Sequence, residues 1–90
     1  MKWSVDKGFS SRKLRYFIAL EEKNDHVRRY LCFDNEIAEY FGISVKQYQK
    51  ELKQFGAYKY HDTLFKNEDD AKRALEFLKE KYGIISELIK

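Results

Sequence analysis

The fold class this chain predicts is α+β, in one small domain, and three observations predict it. Two aromatic-rich runs, "KLRYFIALE" and "HVRRYLCF", alternate their side chains with the period of a strand. Two later segments, residues 35–55 and 68–82, space their apolar residues at helical intervals. The chain has no proline and four glycines, at positions 8, 42, 56 and 83, so it has punctuation but no flexible linker. Ninety residues suffice for one modest core and give a single domain over 1–90. With 43% hydrophobic and 17% aromatic residues, the chain folds despite being 37% charged.

Along residues 13–21, Leu14, Tyr16, Ile18 and Leu20 share one face, with Arg15, Phe17, Ala19 and Glu21 on the other. The polar stretch "EKND" follows. Then Val27, Arg29, Leu31 and Phe33 alternate against Arg28, Tyr30 and Cys32. The two runs read as a β-hairpin. A helix over Ser11–Lys23 competes, because Leu14, Phe17, Ile18 and Glu21 also fit a 3.6-residue period. The density of aromatic residues in so short a run favours the hairpin.

Asp34 is placed to N-cap a first helix, Asn35–Phe41, with Ile37, Ala38, Tyr40 and Phe41 on its apolar side. Gly42 closes it in the left-handed position that follows a helix. Ser44 caps a second helix, Val45–Phe55, whose stripe is Val45, Tyr48, Leu52 and Phe55, and Gly56 ends it. "AYKYHDTLF" reads as a strand, or as a two-stranded turn around His61-Asp62. Asn67 caps a last helix, Glu68–Tyr82, with Glu68, Asp69 and Asp70 against the positive end of its dipole. Its apolar stripe is Ala71, Ala74, Leu75, Leu78 and Tyr82. The predicted order is ββααβα. The tail "GIISELIK" adds Ile84, Ile85, Leu88 and Ile89, a candidate surface for a homodimer or another protein.

Eighteen basic and fifteen acidic residues leave a net charge of +3. Residues 1–30 carry eight basic and four acidic side chains, residues 31–60 four of each, and residues 61–90 six and seven. The excess is N-terminal, where a polyanion would find it. No apolar run approaches the length of a membrane span and no secretory leader is visible, so no membrane partner is expected. A single cysteine, Cys32, excludes an internal disulfide framework, and a cytoplasmic location follows as the default. Its setting in "YLCF" suits a small buried thiol.

Nothing spells a catalytic centre. His61-Asp62 is similar to the His-Asp pair of metal phosphohydrolases, but such a site needs further ligands, and His26 is the one other histidine. No phosphate-cradling glycine loop, serine nucleophile motif or Cys-x-x-Cys pair is present, so we expect no enzyme, no metal and no cofactor.

The stretch "EIAEYFGISVKQYQKEL", residues 36–52, carries the functional signal. Ile37 and Ala38 give an apolar and a small residue on a first helix, Gly42 the turn, and Ile43 the apolar residue that locks the corner. The stretch resembles the helix-turn-helix of small DNA-binding proteins. Leu52 stands one position later than that pattern's apolar residue, and the preceding element is a hairpin, which makes the resemblance that of a winged or hairpin-braced variant. The resemblance implies that the second helix docks in a major groove. Its outward side chains are then Lys46, Gln47, Gln49, Lys50, Lys53 and Gln54, all able to contact phosphates or base edges, with only Glu51 dissenting. A solvated face and a protein-binding face are the other readings. Arg12, Lys13, Arg15, Arg28 and Arg29 extend the phosphate-contacting set if the hairpin lies beside the helices. The basic-aromatic runs "RKLRYF", "VRRY" and "YKY" offer a sheet surface on which bases can stack. Such rings also belong in a core.

In style the chain is also similar to small accessory proteins of phages and mobile elements in low-GC bacteria. That likeness implies an alternative: a protein-binding module or inhibitor without enzymatic activity, of which anti-CRISPR proteins are one kind. The expected partner is therefore duplex DNA or a host protein.

Overall fold

A computed structural model describes residues 2–58 and 63–83. Three strands form one antiparallel sheet in the order β1-β2-β3: β1, Lys2–Ser10; β2, Lys13–Asn24; β3, Val27–Leu31. The predicted hairpin is β2–β3. Strand β1 is an addition, since the sequence reading placed no element over residues 2–10. It forms because Trp3 and Val5 alternate with Ser4 and Asp6, and the register sets Trp3 opposite Leu20 and Val5 opposite Ile18. Its link to β2 is a two-residue turn in which Ser11 (φ 52°) and Arg12 (φ 66°) are both left-handed. That is the type I′ geometry whose twist suits a hairpin, built here without glycine or asparagine.

β3 pairs only with residues 20–24 of β2, which leaves the other half of that edge open. Phe65 fills it. The amide of Tyr16 donates to the Phe65 carbonyl at 2.9 Å, and the Phe65 amide donates back to Tyr16 at 2.7 Å. Leu64 forms a further isolated bridge with Tyr58. The predicted strand over "AYKYHDTLF" is thus present as two bridges; residues 59–62, with His61-Asp62, lie outside the described residues, as does the apolar tail 84–90.

Three helices cover one face of the sheet: α1, Asp34–Phe41; α2, Val45–Lys53; α3, Glu68–Tyr82. α3 packs on the strands, α1 reaches them through Tyr40 and Phe41 against Trp3, and α2 packs on both of these helices. The core runs between the layers, with Ile18, Leu20 and Leu31 from the sheet meeting Ile37, Phe41, Leu52, Phe65 and Leu78. Each such large side chain, fully buried, stabilises the fold by about 1.5–3 kcal/mol. Trp3 closes one end, with its ring 5.0 Å from Phe41 and edge-on to Tyr40. The α+β class is therefore as predicted, in the order βββααα. No helix among the described residues is long and apolar enough to cross a membrane.

The α1–α2 corner follows the sequence closely. Gly42 (φ 69°, ψ 29°) donates to the Glu39 carbonyl and Ile43 to that of Ala38, which satisfies two of the carbonyls left free at the helix end. Ser44 Oγ then accepts from the Gln47 amide at 3.1 Å, capping α2. Two expected caps differ. Phe33 occupies the N-cap position of α1 and Asn67 that of α3, and neither side chain caps its helix. Asp34 lies one residue inside α1 with its carboxylate turned into the protein, and Asn67 donates to Asp70 at 3.2 Å. Helix α2 ends at Lys53, two residues before the predicted Phe55. Cys32 is half-buried, less enclosed than "YLCF" suggested.

Candidate nucleic-acid interface

Helix α2 carries one acid, Glu51, and its position decides the character of the whole surface. The predicted stripe left Glu51 in solvent and put Val45 inside. Instead Glu51 is 3% exposed and Val45 37%. The cause is that α2 rests on α1 and α3 together, so its buried arc is wider than one apolar stripe. Glu51 accepts from Gln47 Nε2 at 2.8 Å and from Lys81 Nζ of α3 at 3.2 and 3.4 Å. The Glu51 carboxylate in turn holds the Lys81 ammonium above its ordinary pKa. Lys81 also lies over the rings of Tyr82 and Phe77, at 5.3 and 5.5 Å. The acid is neutralised and sealed inside.

Two predicted contact residues are drawn in with it. Gln47 spends its amide on Glu51 and on the Tyr82 hydroxyl, at 3.0 Å. Gln49 donates to Asp34 Oδ2 at 2.7 Å. Asp34 is 3% exposed and accepts from the Thr63 amide at 2.8 Å and the Thr63 hydroxyl at 2.7 Å as well. Three donors on one buried carboxylate join α1, α2 and the segment before α3. Next to it, Tyr48 is enclosed, and burial together with the Asp34 charge raises its hydroxyl pKa well above the ordinary value.

Lys46, Lys50, Lys53 and Gln54 remain in water. At about 100° per residue these four share an arc of about 100° on α2. The lysines follow the i, i+4, i+7 spacing, a stripe about 10 Å long. None of the three pairs with a carboxylate among the described residues.

The hairpin cations do not join this stripe. Arg12 and Lys13 sit at the β1–β2 turn, whereas Arg28 and Arg29 lie opposite Lys23 and Glu22 at the far end of β2. Ten residues of strand, about 33 Å, separate Lys13 from Lys23. Arg15 donates to the Tyr58 hydroxyl and to the Leu14 carbonyl, and Arg28 is paired with Glu21. Arg29 is exposed on the helix side of the sheet, near Tyr40. The predicted set is thus divided among the α2 arc, the two ends of the sheet, and two inward-turned glutamines.

Sequence reasoning missed the inward role of Gln47 and Gln49, although the Gln47–Glu51 spacing of four was visible as a helical pair. It also missed Asp34 and Thr63 as partners, since nothing local links residues 29 apart. No protein-family model, no curated protein and no solved structure matches the chain, so the interface is judged on its own chemistry.

Proposed function

We propose that this is a cytoplasmic, non-enzymatic DNA-binding regulator that lays the exposed arc of α2 against duplex DNA. One observation carries the reading: the arc holds Lys46, Lys50 and Lys53 with no carboxylate partner among the described residues, while the single acid of the helix is buried against Lys81. An ordinary solvated helix mixes both signs on its exposed side; here Lys46, Lys50, Lys53 and Gln54 face out with Val45 and no acid. A row of unpaired ammonium groups releases counterions from phosphates, which makes binding salt-dependent. Gln54 and Lys46 are placed to reach base edges if the helix enters the major groove.

Fluorescence anisotropy with a labelled duplex at low salt tests this. We expect binding that weakens steeply with salt and falls at least about tenfold in Lys50→Glu/Lys53→Glu, through loss of phosphate contacts and added repulsion. Absence of binding at ~50 μM protein, where non-specific contacts ordinarily register, would refute it. A second reading, a protein-binding module of the phage-accessory kind, draws on Phe9, 81% exposed, beside Leu14 at the β1–β2 turn. Pull-down from a nuclease-treated lysate separates the two: a protein partner survives nuclease and is lost in Phe9→Ser.

A further inference from the structure

The sheet has a second face, which none of the helices among the described residues covers. On it, by the strand register, lie Phe17 and Ala19 of β2, Tyr30 of β3 and Asp6 of β1. The Tyr30 hydroxyl donates to Asp6 Oδ2. Tyr30 stands opposite Glu21 and Asp6 opposite Phe17, so the line joining them crosses β2 at Ala19. Ala19 is wholly inaccessible although it is on the open side, while Tyr30 is 51% exposed. Both values fit a Tyr30 side chain that reaches across β2 at the level of Ala19 to its partner on β1 and keeps half of its surface in solvent. A side chain larger than alanine at position 19 would lift it. Phe17 leans towards β1, where Gly8 leaves room; its Cε1 lies 3.6 Å from where a Cβ would be.

The charges beside these rings are mostly positive, although Asp6, whose hydrogen-bond donors are neutral, stays an anion among them. Lys2, Lys13, Arg15, Lys23 and Arg28 are on this face by register, against Asp6 and Glu21. Asp6 is engaged by Tyr30 and by the Lys7 amide at 2.8 Å, and Glu21 by Arg28. An anionic occupant with flat aromatic groups matches such a surface. An acidic peptide would use the cations and leave the ring face empty.

We propose that the open face of the sheet is a second nucleic-acid site, which takes single-stranded DNA by stacking an unpaired base on Tyr30. The platform stands independently of the α2 reading; the choice of DNA over RNA rests on it. The tether to Asp6 holds the ring in place before a base arrives, so little side-chain freedom is lost on stacking. α2 lies beyond α1 and α3, on the other side of the molecule, so the two sites do not compete.

The test is anisotropy with a labelled oligothymidylate of about twelve nucleotides, the scale of one such site. Tyr30→Ala, with its fold checked by circular dichroism, should weaken single-strand binding at least about fivefold. Tyr30→Phe, which keeps the ring and loses the tether, should fall between that variant and the parent. Lys50→Glu/Lys53→Glu should weaken duplex binding and leave the single strand bound, which separates this site from the first. If Tyr30→Ala does not fold, Tyr30→Leu covers Ala19 without a π face and carries the same test. Unchanged affinity in the folded variant overturns the proposal, as does absence of single-strand binding at ~50 μM. An RNA of equal length bound more than about tenfold tighter overturns the choice of DNA.

Discussion

Asp34 and Asp6 are both carboxylates that draw donors from distant parts of the chain, yet they sit in opposite environments. Asp34 is sealed among α1, α2 and Thr63, whereas Asp6 lies on the open sheet face. The difference teaches what solvent does to the same chemistry. Inside, each donor lost from Asp34 has no water to replace it, so the junction holds the helix layer together. Outside, water stands ready to replace Tyr30, so the contact orients a ring more than it stabilises the fold. Asp34 thus holds the helix layer together from beneath α2, where Gln49 reaches it, whereas Asp6, which shapes a surface, matters less for folding.

The sharpest way to break this comparison is Asp34→Ala. It strands the Thr63 amide, the Thr63 hydroxyl and the Gln49 amide in a dry site, at a cost of about 3 kcal/mol. For a domain of this size that lowers the melting temperature by roughly 15 °C in a thermal scan. A loss no larger than that of a surface change would show that the junction is wet. The α2 arc comes next in size. Lys50→Glu/Lys53→Glu should cost at least about tenfold in duplex affinity and no more than about 0.5 kcal/mol in stability, since neither lysine is paired with a carboxylate among the described residues.

Tyr30→Phe should cost about 0.5–1 kcal/mol, the low end for a neutral-to-charged hydrogen bond because both groups meet water. Its pH dependence has a definite sign. The hydrogen bond from Tyr30 is the largest cause that lowers the Asp6 pKa from 3.8. Burial first, then the bond to Asp6, raises Tyr30 above its ordinary 10.0. A lowered carboxylate contributes stability above its unfolded pKa and loses it on acidification; a raised phenol contributes below its own and loses it as pH rises. The difference between parent and variant should therefore be flat from about pH 5 to about pH 9. It should shrink below pH 3.8 as Asp6 protonates. Denaturant titrations across that range check it. The smallest effect is expected at the β1–β2 turn. In Arg12→Gly, relief of about 1 kcal/mol of left-handed strain is partly offset by greater freedom of the unfolded chain, for a gain of about 0.5 kcal/mol.

Much of the fold was legible in order of how local its causes are. Gly42 and Ser44 mark the α1–α2 corner because a left-handed residue and a hydroxyl cap act within one turn of themselves. Glu68–Tyr82 was read with its observed limits for the same reason. β1 was not read, because Asp6, Lys7 and Gly8 interrupt its apolar residues and only pairing with β2 makes the pattern cohere. The arc on α2 was half legible. Lys46, Lys50, Lys53 and Gln54 face out as spacing predicts, but Gln47 and Gln49 answer to Glu51, Tyr82 and Asp34, two of them on other helices.

The sequence by itself therefore determined to within two residues where the helices start and stop, that a hairpin precedes them, and that the lysines of α2 share one side. Propensity, capping and periodicity act over a few residues and need no partner. Only the tertiary structure decided which way Glu51 and Asp34 turn, that residues 2–10 form a strand, and that Tyr30 reaches across β2 to Asp6. Each of these depends on a donor, an edge or a surface brought from elsewhere in the chain, such as Thr63 to Asp34 or Asp6 to Tyr30. A buried charge goes where its distant partners are, and no short stretch of sequence contains them.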